Sequence, residues 1–181
     1  MDQLFAPWRI EWVERDDHED DVDGCPFCVL PARDADRKNR IVARSDHAFV
    51  LLNNSPYNPG HVMVIPDRHV GRWSALSEAA LLDHAQLKTT TIEAMEAAFG
   101  PDGVNAGENI GGAAAGGSIG DHLHTHLVPR WEGDTSFMPI VSDTKVIVEA
   151  LAETFDRLHE AVADRPAATV RGDDDAVELS F

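Results

Sequence analysis

The chain contains no stretch of 18 consecutive apolar residues, so no segment reads as a membrane-spanning helix, which needs about 20. The opening MDQLFAPWRI also lacks the apolar run of a signal peptide, and a soluble cytoplasmic protein is expected. Lysine is scarce: Lys38, Lys88 and Lys145 are the only three, and 15 basic residues face 32 acidic ones for a net charge of −17. With no basic stripe to neutralise a phosphate backbone, binding to a nucleic-acid polymer is not expected. Cysteine is nearly absent. Cys25 and Cys28, in CPFC, are the only two; they are too few for a disulfide framework and read either as a redox dithiol or as half of a zinc site. No internal repeat is visible.

What is present is a folded core under an anionic surface. The hydrophobic fraction of 43% in 181 residues is ample for one domain. The acidic residues are spread over segments that also carry hydrophobic patterning. Such a surface suits concentrated salt, where the screening length falls to about 3 Å at 1 M, and a salt-loving source is expected.

Residues 1–24 read as an arm, aromatic in LFAPWRIEWVE and then acidic in RDDHEDDVDG, ahead of a domain at 25–165 and an acidic tail at 166–181, of which RGDDDAVELSF is expected to be loose. Short β-rich runs are predicted near 40–44 and 47–53, and HVMVIP at 61–66 reads as a buried strand ended by Pro66. From Ser74 to Phe99 the period changes: Leu76, Ala80, Leu87, Ile92, Met95 and Phe99 recur at near-helical spacing, with Ser74 or Ser77 as cap and Gly100-Pro101 as stop. DGVNAGENIG is a weaker strand candidate, and Asp143 to Val162 reads as a second amphipathic helix. Strands joined by hairpin-like turns, with two helices between and after them, predict an α+β domain on an antiparallel sheet.

One segment stands apart. In GDHLHTHLVPRW, His122, His124 and His126 occupy every second position, the period of a strand, so their rings are expected on one face roughly 7 Å apart, with Leu123, Thr125 and Leu127 on the other. Three readings compete: a structural accident, a metal site, or covalent catalysis on phosphorus. Against the metal reading, ligands spread along a line cap a single ion awkwardly, although one or two of the three could still ligate a metal with help from elsewhere. For the catalytic reading, a neutral imidazole is nucleophilic near pH 7 when its other nitrogen gives its proton to a fixed acceptor. His124, in the middle, is best placed to attack, and His126 to hydrogen-bond the leaving oxygen. The preceding GGAAAGGSIGD is a plain connector or an anion cradle, in which glycine N–H groups and the Ser118 hydroxyl close on phosphoryl oxygens.

HLHTHLVPRW resembles the His-x-His-x-His signature of the histidine-triad (HIT) superfamily of nucleotide hydrolases and transferases, and NNSPYNPGHVMVIPDRH resembles its nucleoside-contacting strand and turn. The opening LFAPWRIEWVE…GCPFC, together with GGS before the triad and VPRW after it, is similar to a prokaryotic branch of diadenosine tetraphosphate phosphorylases and hydrolases. The resemblance implies a HIT-like antiparallel sheet with a long helix and a C-terminal helix. It implies His124 as nucleophile through a nucleotidyl-histidine, His126 at the scissile or non-bridging oxygens, and His61 in support. It places Asn53 at the ribose hydroxyls, Asn109, Gly117 and Ser118 at phosphate, and Trp131 on a base. Ser118 stands where the fragile-histidine-triad hydrolases carry glutamine, which favours the phosphorylase-like reading. The resemblance also implies a structural zinc held by Cys25, Cys28, His69 and His122, and a homodimer. Alternatives of other kinds are an adenosine phosphoramidate hydrolase-like protein, a nucleotide-binding sensor without chemistry, and a zinc hydrolase.

Overall fold

The computed structural model describes residues 23–111, 119–134 and 149–181. Most of the N-terminal arm, part of the glycine-rich loop (including Gly117 and Ser118) and the start of the expected second helix lie outside them. Two single-turn helices, α1 (Pro26–Val29) and α2 (Asp36–Asn39), lead into strands β1 (Ile41–Arg44), β2 (Ala48–Leu52) and β3 (Val62–Pro66). A 3₁₀ turn (Trp73–Ala75), the long helix α3 (Glu78–Phe99), β4 (Gly103–Gly107) and β5 (Thr125–Arg130) follow. Helix α4 (Leu151–Ala163) and the short strands β6 (Ala168–Thr169) and β7 (Val177–Leu179) complete the described chain.

The strands form one sheet in the order β4-β5-β3-β2-β1-β7-β6, antiparallel except for the β1–β7 pair. Its central strands AFVLL and VMVIP are buried at every position because both faces are covered. Val50, Leu52, Val62, Val64 and Leu127 pack with Leu87, Met95, Phe155 and Leu158 under α3 and α4. The intervening residues Phe49, Leu51, Met63 and Ile65 face the other way and cluster with Phe27 of α1. This alternation leaves one side of the sheet for the helices and the other for a site.

Helix α3 is cut where its caps stand. Ser77 Oγ accepts the Ala80 N–H at 3.2 Å, and Gly100, at φ 57°, provides the left-handed C-cap. Its buried residues Ala80, Asp83, His84, Leu87, Thr91, Ala94 and Met95 follow the helical stripe. The second helix begins at Leu151, later than its apolar pattern predicts; of the expected start, residues 143–148 lie outside the described residues. Ala150 is extended (φ −65°, ψ 142°), and the Glu149 carboxylate just before it accepts from Thr154 Oγ1 and Arg157.

The C-terminal segment, expected to be loose, is part of the sheet. β7 pairs with β1 through Ala43↔Val177 and Arg44↔Glu178, burying Ala176, Val177 and Leu179. Its charges flank a short apolar alternation that finds an open sheet edge, so acidity conceals a strand. No helix among the described residues is long and apolar enough to cross a membrane.

Candidate active site and metal centre

On the face away from α3 and α4 lies a cavity of about 530 Å³, lined by His124, His126, Asn53, Asn109, Tyr57 and Phe27 among others. Gly60, at φ 82°, turns the chain into β3; a Cβ there would lie 2.7 Å from the Phe99 ring, so the turn requires glycine. That turn delivers His61, fully buried, beside the cavity wall.

Backbone partners decide the proton positions on these rings, because an N–H only donates and a carbonyl only accepts. The Tyr57 N–H donates to His61 Nδ1 at 3.1 Å, so in neutral His61 the proton sits on Nε2. From there it donates to His126 Nδ1 at 2.9 Å, which leaves the neutral His126 ring's own proton on Nε2. His124 Nδ1 lies 2.9 Å from the His122 carbonyl oxygen and donates to it, leaving Nε2 as the lone-pair nitrogen of the neutral ring. The rings of His124 and His126 are 5.0 Å apart, edge to face. Burial, and secondarily His124, hold the His126 pKa below the ordinary histidine value, which keeps that ring neutral and its donor role intact. One ring therefore offers a nucleophile and its neighbour an N–H.

His122 does not line this cavity, although its ring packs on the same Phe27 side chain as that of His124. The hydrogen-bonded strand starts only at Thr125, and ahead of it the Leu123 N–H is held by the Val70 carbonyl at 2.7 Å. His122 Nε2 donates to the Pro66 carbonyl at 2.8 Å, so Nδ1 carries the lone pair and faces Cys25 Sγ at 3.4 Å and Cys28 Sγ at 3.6 Å. His69 repeats the arrangement: Nε2 lies 3.3 Å from the Asp121 carboxylate and Nδ1 3.2 Å from Cys28 Sγ. The four ligand atoms lie within 4.8 Å of one another. A tetrahedral ion with Zn–S and Zn–N bonds of about 2.3 and 2.0 Å has ligand–ligand edges of roughly 3.3–3.8 Å. The donor set fits such an ion. Burial and the adjacent Cys25 raise the Cys28 thiol pKa, a cost that a cation would reverse.

The two centres touch. Phe27, between the cysteines in α1, packs 5.6 Å from the His122 ring and 5.1 Å from the His124 ring, and the His122 carbonyl is the acceptor for His124. Among the other sequence-predicted residues, Asn53 and Asn109 line the cavity, and Asn53 Oδ1 accepts the Ser55 N–H at 2.8 Å. Trp131 lies beyond the far end of β5, in a turn held by Asp134, and does not line the cavity. Arg130 holds the Asp134 carboxyl well below the usual carboxylate range. The ends of the glycine-rich loop are pinched together: a Cβ on Gly120 would fall 2.7 Å from the Gly111 carbonyl oxygen.

Residues that the sequence did not single out complete the surroundings. Phe27 and Tyr57 wall the cavity, and only the tertiary fold brings α1 there. On the reverse face of β5, Thr125 Oγ1 donates to Glu108 Oε1 at 2.8 Å and lies 3.4 Å from His84 Nε2. His84 Nε2 is also 3.3 Å from the Val64 carbonyl. Burial lowers the pKa of His84.

The HIT domain family model matches residues 35–133. Over 162 residues the chain is 37% identical to a Mycobacterium tuberculosis protein named AP-4-A phosphorylase, covering 85% of this chain and 80% of that one. It is 31% identical over 98 residues to the asymmetrical bis(5'-nucleosyl)-tetraphosphatase of Schizosaccharomyces pombe, 54% of this chain and 53% of that protein. Among solved structures, a histidine triad nucleotide-binding protein of Sulfolobus tokodaii superposes with a TM-score of 0.61 at 27% identity, over 77% of this chain and 93% of that one. A Zn-bound histidine triad family protein of Mycobacterium smegmatis shares the fold with the same TM-score at 24% identity, over 77% and 94%. With a donor-paired histidine couple in a cavity on the sheet face away from α3 and α4, the chain belongs to the HIT domain family of nucleotide hydrolases and transferases.

Proposed function

We propose that the protein cleaves a dinucleoside polyphosphate of the diadenosine tetraphosphate class through a nucleotidyl-histidine on His124. The observation that carries this reading is the tautomer of His124. Its Nδ1–H is committed to the His122 carbonyl, so Nε2 carries the lone pair, with the His126 Nε2–H beside it. In the first step the Nε2 lone pair attacks the phosphorus next to one nucleoside. The P–O bond to the remaining polyphosphate breaks, the leaving oxygen takes a hydrogen bond or proton from His126, and the new P–N bond leaves a cationic ring. The His122 carbonyl stabilises that cation through Nδ1–H. In the second step an oxygen of inorganic phosphate attacks the same phosphorus and the P–N bond breaks, so diadenosine tetraphosphate plus phosphate yields ATP plus ADP. Water in place of phosphate would give AMP.

Asn53 serves the ribose hydroxyls, while Asn109, Gly117 and Ser118 serve the phosphates; His61 holds the His126 tautomer. The similarity to a protein named AP-4-A phosphorylase supports the choice of substrate and acceptor. Cys25, Cys28, His69 and His122 would hold zinc in a closed set of two thiolates and two imidazoles, with no open position for the reaction.

The test is mixing the protein with diadenosine tetraphosphate, with and without ¹⁸O-labelled phosphate, quenching, and mapping the adduct by mass spectrometry. The expected result is label in ADP and a nucleotidyl mass on His124, both lost in His124→Ala while nucleotide still binds. Undiminished turnover in His124→Ala would end this reading.

A further inference from the structure

The reverse face of the triad strand carries polar groups that the reaction does not use. Thr125 stands between His124 and His126, and by strand alternation its side chain points away from theirs, toward α3. Glu108 directly follows β4, whose last residue pairs Gly107↔His126, and is itself followed by Asn109, which lines the cavity. The bond from Thr125 Oγ1 to Glu108 Oε1 thus joins two back-face residues whose chain neighbours are front-face residues. His84, almost fully buried on α3 with Trp73 edge-on at 4.7 Å, approaches the same hydroxyl and the Val64 carbonyl of the neighbouring strand. A hydroxyl has one proton, here given to Glu108, so its oxygen can only accept from His84 Nε2–H, a proton it shares with the Val64 carbonyl.

A carboxylate one residue from the wall of an anion site should repel the ligand. Here the Thr125 hydroxyl draws it to the opposite side of the sheet. We infer that Glu108 and Thr125, backed by His84, are positioning residues: a latch on the reverse face that registers Asn109 against His124 and His126 and keeps the Glu108 charge out of the cavity. The latch is read from these contacts alone; its purpose, the placing of a phosphate, rests on the function proposed above. It acts on the phosphate end of a ligand and leaves the nucleoside end, near Asn53 and Tyr57, untouched.

Two measurements on the full chain separate the latch from its purpose. Thr125→Val keeps the shape and removes the hydroxyl, Glu108→Ala removes the exposed partner, and Thr125→Ser and Glu108→Gln keep a donor and an acceptor. In Thr125→Val and Glu108→Ala, amide hydrogen exchange at 108–111 should quicken about tenfold, the worth of one charge-assisted bond, with 62–66 unchanged. Affinity for AMP should fall about tenfold while affinity for adenosine stays within twofold, and Thr125→Ser and Glu108→Gln should recover most of the loss. Unchanged exchange in both disrupting variants overturns the latch. Equal loss of AMP and adenosine, or no loss of either, overturns its role toward phosphate. If exchange quickens but the wild type binds no AMP, the latch stands and the nucleotide function fails.

Discussion

The two cysteines and two histidines of the candidate metal centre predict a measurable coupling between metal and fold. The ligand nitrogens are already oriented by protein partners, Pro66 for His122 and Asp121 for His69, and three of the four sulfur–nitrogen distances are 3.2–3.6 Å, near the edge lengths of a tetrahedral zinc. Little rearrangement is needed on loading, so binding free energy passes to the folded state. With free zinc buffered at about 100 times its dissociation constant, the gain is about 2.7 kcal/mol. At roughly 2–4 °C per kcal/mol for a chain of this size, the unfolding midpoint should rise by about 5–11 °C. The assay is thermal unfolding in a reducing buffer with zinc clamped by a chelator, alongside metal analysis of the purified protein. One equivalent of zinc is expected, and Cys28→Ser should abolish most of the shift. Turnover should fall on stripping as well, because the His122 carbonyl that sets the His124 tautomer belongs to the residue the metal would hold. A reduced protein with no stoichiometric metal, and a midpoint indifferent to zinc, would refute the reasoning.

His61→Leu removes the donor that fixes the His126 tautomer while keeping an apolar side chain in a buried slot. Losing about 1.4–2.8 kcal/mol should lower kcat roughly 10- to 100-fold, with AMP affinity held within a few-fold in titration calorimetry; a kcat within twofold of wild type contradicts the relay. Burial holds His84 and His126 below the ordinary histidine pKa, so the unfolded chain binds protons first as pH falls. Their stabilising effect is therefore complete above about pH 6.5 and is lost progressively below it, by up to about 1.4 kcal/mol per pH unit for each ring. Urea titrations from neutral to acid pH should show that loss, with a shallower slope in His84→Gln. Leu179→Ala, in the buried β7 pairing, should cost about 2–5 kcal/mol in the same titrations, whereas a loose tail would show no change.

Local pattern was enough for β1, β2 and β3 and for the body of α3 with Ser77 and Gly100 at its ends, and it singled out the HLHTH segment, two of whose rings line the cavity. Alternation and capping are written in neighbouring residues, which is why they can be read without a fold. Three outcomes depended on distant partners. His122 shares Phe27 as a neighbour with His124, yet its Nδ1 meets Cys25 and Cys28, which lie 94–97 positions away in sequence and are brought there only by the fold. The acidic C-terminal segment becomes a strand because the edge of β1 is open to it. The proton positions on His61, His124 and His126 follow from a Tyr57 amide and a His122 carbonyl, groups that every residue owns and no sequence pattern advertises. Residue types and their period determined which chemistry was available. Which nitrogen is free to perform it was decided by backbone hydrogen bonds that exist only once the chain has closed on itself.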